Sequence, residues 1–439
     1  MKGEPVKVGL LGLGTVGSGL VRLLERNRAE YARRLGREII VTHAYTRDAS
    51  RQRDCNLAGV TLVKDPMAIA REAPVDVVVE LLGGISPARE LISAAIARGK
   101  PVVTGNKALL AADGDRLFAA AREKGVGIAF EASVAGGIPI IRVLREGLAG
   151  NRIESLAGII NGTCNYILTQ MTQHQVDFAT ALAEAQALGY AEADPGFDVD
   201  GNDAGHKLAI LASLAFGIPL SGGGVLLAGI RGVTARDIQL AGELGYRVKA
   251  LAIAKLSGGR VELRVQPTLV PVEHLLAKVD GVLNAVIVKG DAVGETGYYG
   301  RGAGGDATAS AVVADLLEIA REIGSGAKFR AQPLGFDPAA VRTAAIVPPA
   351  EIESAHYVCL RVADTPGVLK GITSILAELD ISIEAILQKE PKGKEDATVA
   401  IITSVVTQAR FDAALAKLLA LPFVRPGSTH LGVEHFNGK

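Results

Sequence analysis

Tryptophan is absent from this chain, and cysteine and methionine occur only three times each in 439 residues. Cys55, Cys164 and Cys359 lie far apart without metal-ligand spacing, which argues against a disulfide framework, a redox pair and a zinc site. Neither charge sign is in excess, with 47 basic and 47 acidic residues, so no global field favours nucleic acid or an anionic membrane. The sequence contains no apolar signal core, and no apolar run reaches the roughly 20 residues that span a bilayer. We therefore expect a cytoplasmic protein with neither a nucleic-acid nor a membrane partner.

Small and β-branched residues are abundant instead, which favours helices packed closely on a parallel sheet. A strand at Val6–Leu11 ends in glycines, helical spacing continues over 15–35, and a second strand is predicted at 38–46. Further strands and helices alternate up to residue 131, with strands predicted at 75–80, 101–104 and 126–131 and helices at 86–98 and 113–124. This alternation predicts a doubly wound parallel α/β sheet of the Rossmann type.

Two further regions follow the predicted α/β domain. Open α+β patterning runs to about residue 325, and the segment 332–349 with its four prolines is typical of an exposed connector. From His356 onward the pattern is βαββαβ, as in a split βαβ sandwich. The predicted domains are therefore 1–132 for dinucleotide binding, 133–325 for catalysis and dimerisation, 326–350 as linker and 351–439 as a regulatory module.

The glycines that follow the first strand indicate a dinucleotide site. Gly12, Gly14 and Gly17 stand in GxGxxG spacing at the opening of a helix, where they allow a tight turn, close approach to a pyrophosphate and close helix packing. Past the second strand, Arg47 precedes Asp48. An arginine there accommodates a 2′-phosphate and an acid binds the ribose 2′-hydroxyl, so the sequence favours NADP and leaves NAD open.

Three polar clusters interrupt the apolar pattern. Lys107 follows a buried strand in Thr104-Gly105-Asn106-Lys107, and the carboxyl ends of such strands face the ligand crevice, although a surface lysine is the alternative. Asp203 and Lys207 are four residues apart on a predicted helix, either as a surface ion pair or as a lysine held for proton transfer. The turn 161–166 either binds a substrate carboxylate or simply caps a helix.

These clusters belong to a wider set of motifs that resembles homoserine dehydrogenases over essentially the whole chain. In chain order the motifs are GLGTVG, TGNKALL, EASVAGGIPII, NGTCNYIL, GYAEADPGFDVDGNDAGHKL and GRGAGGDATASAV. The resemblance implies NAD(P)-dependent interconversion of L-homoserine and L-aspartate 4-semialdehyde, on the route to threonine, methionine and isoleucine. The competing interpretations are a non-catalytic nucleotide or amino-acid sensor, and a dehydrogenase of another small amino or hydroxy acid.

The resemblance also implies roles for individual residues. Lys207 is expected to donate the proton with Lys107 sharing the work, Asp203 to hold Lys207, and Glu192 to bind the substrate ammonium. Further substrate contacts are expected from Tyr190, Thr163 and Asp198. The expected cofactor contacts are Gly12, Gly14, Thr15, Val16, Gly17, Arg47, Lys107 and Gly302. A sodium ion is expected on the Glu131 side chain and the carbonyl oxygens of Val134, Gly136 and Ile138, because oxygen-only ligation suits a hard cation.

The C-terminal turn Asp364-Thr365-Pro366-Gly367-Val368-Leu369 resembles the effector turn of ACT domains, which pair and bind an amino acid. We therefore expect an amino-acid effector, with threonine as the candidate, in a homodimer or homotetramer. A dimerisation module without a ligand is the alternative.

Overall fold

The computed structural model describes residues 3–220, 224–325, 332–342, 345–389 and 396–436. Its strands are β1 Val6–Leu11, β2 Ile39–Tyr45, β3 Thr61–Val63, β4 Val77–Glu80, β5 Val102–Thr104, β6 Ile128–Ala129, β7 Ile153–Ile159, β8 Leu226–Leu227, β9 Tyr246–Ser257, β10 Arg260–Pro271, β11 Leu283–Gly290, β12 Gly294–Arg301, β13 Ala345–Ile346, β14 Glu353–Val362, β15 Ile383–Lys389, β16 Ala397–Thr403, β17 Val406–Thr407 and β18 Val424–Val433.

The helices are α1 Thr15–Arg26, α2 Arg28–Leu35, α3 Pro66–Arg71, α4 Ala88–Ala97, α5 Lys107–Lys124, α6 Ile140–Arg142, α7 Gly162–His174, α8 Phe178–Ala187, α9 Gly196–Val199, α10 Asn202–Phe216, α11 Ala235–Glu243, α12 Gly305–Ser325, α13 Val368–Glu378 and α14 Gln408–Leu419. None of these described helices has the length and apolar character that crossing a bilayer requires.

The chain divides into two compact units. The first comprises Met1–Glu154, His206–Gly223 and Val288–Ala344, and the second comprises Ser155–Gly205, Gly224–Ile287 and Ala345–Lys439. Each unit therefore gathers segments that are distant in sequence.

The first unit is built on a parallel sheet with the strand order β3-β2-β1-β4-β5-β6. Its central strands are apolar on both faces, as a sheet covered by helices requires. Leu20 and Leu24 of α1 join Leu10 of β1 and Val312 and Leu316 of α12 in one buried cluster. This order, which reverses direction at β1, confirms the predicted doubly wound fold.

The boundaries of three elements in this unit differ from the prediction. The helical stretch 15–35 is interrupted at Asn27, which ends α1 and begins α2 with φ −106° and ψ 19°. Helix α5 begins at Lys107 instead of 113, because the Asn106 side chain caps it by accepting from the Leu109 N–H at 3.1 Å. The strand predicted at 126–131 shrinks to β6, since a 3-10 turn begins at Glu131.

The second unit contains a sheet in which β11-β7-β9-β10-β18-β14-β16-β15 lie side by side. Strands β9 and β10 form a long antiparallel hairpin that pairs Tyr246 with Pro271 at its open end. Helices α7, α8 and α11 pack on this sheet through a buried cluster that includes Ile167, Met171 and Ile238.

The C-terminal module has the order β14-α13-β15-β16-α14-β18, with the two-residue β17 added, which confirms the predicted βαββαβ pattern. Its last strand, β18, has ten residues. Part of β18 pairs in parallel with β10, at Thr268 with Gly432 and at Leu269 with Val433. The module's sheet thus continues the sheet of β9 and β10.

Candidate active site

The three glycines of the GxGxxG motif, two in the loop after β1 and one in the first turn of α1, differ in their surroundings. Gly12 has φ +116°, and a Cβ there would lie 2.7 Å from the Leu81 carbonyl oxygen. A Cβ on Gly17 would lie 2.0 Å from the Gly12 carbonyl oxygen, so both glycines are required by the fold. A Cβ on Gly14 would meet nothing within 4 Å, and no side chain caps α1 at this residue. The main-chain N–H groups at the start of α1, from Thr15 onward, are therefore open to a phosphate.

The loop after β2 contains the two residues expected to read the adenosine ribose. Arg47 is exposed. The Asp48 carboxylate accepts from the Ser50 N–H at 2.9 Å and from the Ser50 hydroxyl at 2.6 Å, and these bonds hold the pKa of Asp48 below its ordinary value. One oxygen of Asp48 is thus committed to its own loop.

The same loop contains a cation that the sequence did not single out. The Arg53 Nε donates to the carbonyl oxygen of Leu13, inside the glycine loop, at 3.1 Å. Its Nη2 donates to the Thr46 hydroxyl at 2.6 Å, at the end of β2. No local pattern marks Arg53, because its partner in the glycine loop is distant in sequence.

Lys107 is positioned by a buried carboxylate that the sequence did not identify either. Glu80 ends β4 with no exposed surface and accepts from the Thr104 hydroxyl at 2.7 Å and from the Leu82 N–H at 2.7 Å. The Thr104 oxygen in turn accepts from the Asn106 N–H at 3.0 Å, directly before Lys107 opens α5. Glu80 therefore fixes the turn that presents the half-buried Lys107.

The turn that was predicted to bind sodium lies against the loop that contains Gly302. A Cβ on Gly136 would lie 2.5 Å from the Gly302 carbonyl oxygen, and the Gly137 N–H donates to the Arg301 carbonyl oxygen at 2.9 Å. The two predicted sites, for the cation and for the nicotinamide end, are thus adjacent.

The Glu131 carboxylate in this turn is buried and has two main-chain donors. It accepts from the Ile141 N–H at 2.8 Å and the Arg142 N–H at 2.9 Å, at the start of α6. Burial raises the pKa of Glu131 and these two hydrogen bonds oppose the rise. The Ile138 carbonyl oxygen already accepts from the Ile140 N–H at 2.8 Å. Val134 is fully buried and neighbours Ala135, which has φ +54°.

In the second unit, Asn161 joins two of the predicted acids. Its Nδ2 donates to Asp198 Oδ1 and to Asp203 Oδ2, both at 2.8 Å, while its Oδ1 accepts from the Cys164 N–H at 2.8 Å and so caps α7. Asp203 is only 4% exposed. This amide therefore caps α7, as one of the two interpretations of the turn predicted, and binds both acids.

Thr163 and Tyr190 are also brought together in the second unit. The Thr163 hydroxyl donates to the Tyr190 carbonyl oxygen at 2.6 Å, and the Tyr190 ring contacts the Tyr166 ring edge-on at 5.0 Å. Gln186 donates to the main-chain carbonyl of Glu192 at 3.0 Å. The Glu192 side chain is itself exposed.

Two acids of the same loop have local structural partners. Asp194 accepts from the Gly196 N–H at 3.1 Å, and Asp200 pairs with Arg231 at 2.5 Å, which lowers the pKa of Asp200.

Within the described ranges, no three His, Cys, Asp or Glu side chains are grouped closely enough to hold a metal ion. A cation at the 131–138 turn would therefore depend on main-chain oxygens.

Helix α10 contains Asp203 and Lys207 one turn apart. Asp203 is fixed by Asn161, and Lys207 is half-buried, in contrast to an ordinary surface lysine. The spacing places both side chains on the same face of the helix.

Family models match three parts of the chain. Residues 12–131 match the homoserine dehydrogenase NAD-binding domain, 139–317 match homoserine dehydrogenase, and 356–423 match the ACT domain. A homoserine dehydrogenase of Pseudomonas aeruginosa is 49% identical over 99% of this chain and 100% of its own length. The chain belongs to the homoserine dehydrogenase family. A second relative with that description, from Neisseria gonorrhoeae, is 48% identical over 98% of this chain and 99% of its own.

Solved structures agree with this membership. The crystal structure of a homoserine dehydrogenase from Thiobacillus denitrificans superposes with a TM-score of 0.93 at 48% identity and covers 100% of both chains. A hyperthermophilic archaeal homoserine dehydrogenase in complex with NADPH superposes with a TM-score of 0.60 at 29% identity, over 72% of this chain and 97% of that one. The family, the enzyme class and a nicotinamide cofactor, as the motifs indicated, are thereby confirmed. The comparisons favour neither the non-catalytic sensor nor the dehydrogenase of another small amino or hydroxy acid.

Proposed function

We propose that this family member oxidises L-homoserine reversibly to L-aspartate 4-semialdehyde, prefers NADP, and uses Lys207 for proton transfer. The observation that carries the proposal is the buried Asp203, held by Asn161 at 2.8 Å one helical turn before Lys207. A lysine so placed has a fixed anionic neighbour on its own helix face, which a solvated surface pair does not provide.

In the oxidative direction, a base must accept the hydroxyl proton while hydride leaves the carbon. A nicotinamide cofactor held at the glycine loop would supply the hydride acceptor. In the reverse direction, the Lys207 ammonium donates a proton to the developing alkoxide, and such a cation stabilises negative charge in a site from which water is largely excluded. Lys107, fixed at the start of α5 by the Glu80 and Thr104 hydrogen bonds, shares this role.

Substrate recognition rests on the second unit. The exposed Glu192 carboxylate binds the substrate ammonium, because Gln186 fixes its main chain and leaves the side chain outward. Tyr190, Thr163 and Asp198 supply the remaining polar contacts, and their hydrogen bonds already place them around α7.

The open backbone at Gly14, with Thr15 and Val16 at the start of α1 and Gly17 behind them, suits a pyrophosphate. The preference for NADP is supported by Arg47, which is exposed after β2, and by the commitment of an Asp48 oxygen to Ser50. The NADPH-bound archaeal relative gives further support. Gly302, which lies against the 131–138 turn, is the proposed contact at the nicotinamide end.

Sodium would be held at this turn by Glu131 and by the carbonyl oxygens of Val134, Gly136 and Ile138. The turn fits the ion in part: the buried carboxylate supplies charge, while the bonds from Ile141 and Arg142 to Glu131 and from Ile140 to Ile138 already use some oxygen lone pairs. The sodium ion would set the shape of the turn beside Gly302. Replacing sodium by choline in the assay should lower activity, and an unchanged rate would remove the ion from the proposal.

The ACT module is proposed to bind threonine between paired copies of the chain. Its turn between β14 and α13 is exposed from Asp364 to Gly367, and Gly367 has φ +93° at the start of α13. Titration with threonine to millimolar concentration should inhibit the enzyme, and sedimentation should show a homodimer or homotetramer. Full activity in saturating threonine would leave the module a dimerisation domain only.

The deciding experiment measures cofactor reduction at 340 nm with L-homoserine, for NAD⁺ and NADP⁺, in wild type, Lys207→Ala, Lys107→Ala and the exposed control Lys124→Ala. General acid–base catalysis contributes about 10²–10⁴-fold, so Lys207→Ala should lose that much and Lys124→Ala nothing. Full turnover by Lys207→Ala with loss in Lys107→Ala would move proton transfer to Lys107. No homoserine-dependent reduction by folded wild type would overturn the reaction itself.

A further inference from the structure

Arg53 forms a bridge between two loops of the first unit. Its Nε donates to the Leu13 carbonyl oxygen at 3.1 Å and its Nη1 to the Arg51 carbonyl oxygen at 2.6 Å. Its Nη2 donates both to the Thr46 hydroxyl at 2.6 Å and to the Asp48 carbonyl oxygen. Four of the five guanidinium N–H groups are thereby used, and one on Nη1 remains.

All four acceptors are neutral. Carbonyl and hydroxyl oxygens orient a guanidinium without cancelling its charge, so a net positive charge stays at this position. The two nearby acids in sequence have other partners, since Asp48 accepts from Ser50 and Asp54 pairs with Arg22 at 3.4 Å. Of the causes that lower the pKa of Asp48, the Ser50 hydroxyl is the largest and Arg53 the smallest.

The segment that contains Arg53 is held rigidly against α1. Arg22 donates to the Asp54 carbonyl oxygen at 2.8 Å, and the Asn56 side chain donates to the Glu25 carboxylate at 3.0 Å. Arg53 is half-buried between these anchors. Arg47, by contrast, is exposed, so its charge has no comparable fixed position.

The bridged loops are the two that border the adenosine ribose in a dinucleotide fold, namely the glycine loop and the end of the second strand. We propose that Arg53, held in one orientation by these hydrogen bonds, determines the NADP preference by supplying a fixed positive charge for the 2′-phosphate. This inference rests on the proposed cofactor preference and adds a residue to it. Lysine cannot replace Arg53 fully, because its single ammonium cannot span four acceptors arranged around a planar fork.

The test compares Arg53→Gln, which removes the charge, with Arg53→Lys, which keeps the charge but loses the fork. Arg51→Gln is the matched control, since Arg51 lies in the same loop with an exposed side chain. In Arg53→Gln, the KM for NADP⁺ should rise roughly 10- to 100-fold, as expected for the loss of a contact to a charged group. The KM for NAD⁺ should change by less than about threefold, and kcat should hold with both cofactors, because hydride transfer occurs at the nicotinamide end. Arg53→Lys should recover part of the loss.

Binding of adenosine fragments separates recognition from a general structural role. Adenosine 2′,5′-bisphosphate and 5′-AMP are titrated calorimetrically into the full-length enzyme without substrate. Arg53→Gln should weaken the bisphosphate and spare 5′-AMP, whereas Arg51→Gln should alter neither. Equal weakening of both fragments, or of neither, would overturn the assignment. If wild type uses NAD⁺ better than NADP⁺, the proposed preference fails before any variant is compared, and the fragment titration alone then decides the role of Arg53.

Discussion

The glycine loop of the first unit and the acidic loop of the second unit both lead into a helix, but they form their sites by different means. In the glycine loop the site is main chain, and its residues contribute by lacking side chains, as at Gly14, where the space beyond the Cα is open. In the loop 189–203 the site consists of side chains, and Asp198 and Asp203 are placed by an amide from another segment, Asn161.

This difference determines how each site should respond to change. A main-chain site depends on the fold of a few consecutive residues, so substitutions either disrupt that fold or block the ligand. A side-chain site depends on distant partners, so a variant can keep the fold and still lose the arrangement. The following variants test whether stability and function separate in this way.

Gly17→Ala and Gly14→Ala should show the largest contrast. The Cβ that the first substitution introduces would meet the Gly12 carbonyl oxygen at 2.0 Å, so we expect a loss of about 3 kcal/mol in the free energy of unfolding. In the second variant the Cβ meets no protein atom within 4 Å, so stability should fall by about 1 kcal/mol at most, through a weaker N-cap. Urea titration followed by circular dichroism measures both.

Cofactor affinity should distinguish the same two variants in the opposite order, because Gly14→Ala keeps most of its stability but should lose NADPH binding. Gly14→Ala should bind NADPH about 10- to 100-fold more weakly, because a methyl group occupies the space that the pyrophosphate approaches. Titration followed by the fluorescence of NADPH is a suitable measurement. Unchanged NADPH affinity in Gly14→Ala would contradict the view that the main chain itself forms this site.

Asn161→Ala tests the side-chain site, with Asn165→Ala as its control one turn further along α7. Both amides are buried, but the Asn165 Nδ2 donates to main-chain oxygens, including that of Gly281 at 3.0 Å. Each variant should lose about 1–3 kcal/mol of stability, as buried groups lose their partners. Only Asn161→Ala should also lower kcat/KM, by about 100-fold, because Asp203 loses its hold beside Lys207. Equal losses of kcat/KM in the two variants would mean that Asn161 acts only through stability.

The sequence predicted much of the fold because hydrophobic periodicity is local. Strand β1 has its predicted bounds, and the βαββαβ order of the C-terminal module is as expected. The steric need for glycine at positions 12 and 17 was also predictable, since strand, turn and helix are consecutive. Helix α5 was predicted to begin too late, because its cap depends on the Asn106 side chain, which apolar spacing does not reveal.

The residues that organise the site were less accessible to sequence reasoning. Glu80 and Thr104 are 24 residues apart, and Asn161 and Asp203 are 42 apart, so neither hydrogen bond leaves a local pattern. Arg53 is surrounded by other charged residues, which makes it look like part of a solvated loop. Contacts of this kind are established only when the chain folds, whereas the residue types of the motifs are visible beforehand.

Tyr357→Phe should have the smallest effect and would sharpen the comparison within the second unit. This unit buries a second carboxylate, Asp237, which has no exposed surface. It accepts from Thr234 at 2.6 Å and from Thr429 at 2.5 Å, and from the Tyr357 hydroxyl at 3.2 Å. Asp203 and Asp237 are thus both held by polar side chains, but only Asp203 lies beside a predicted catalytic lysine.

Removing the Tyr357 hydroxyl leaves Asp237 its other donors, so the free energy of unfolding should fall by about 1 kcal/mol. Burial raises the pKa of Tyr357, so its hydroxyl stays protonated and donates across the assay range. The Asp237 carboxylate links α11 to strands β14 and β18, and its hydrogen bonds involve none of the proposed substrate contacts. The kcat/KM for homoserine should therefore not change. A several-fold fall in kcat/KM at unchanged stability would show that side chains outside the acidic loop also set its geometry. The separation of structural from functional carboxylates would then fail.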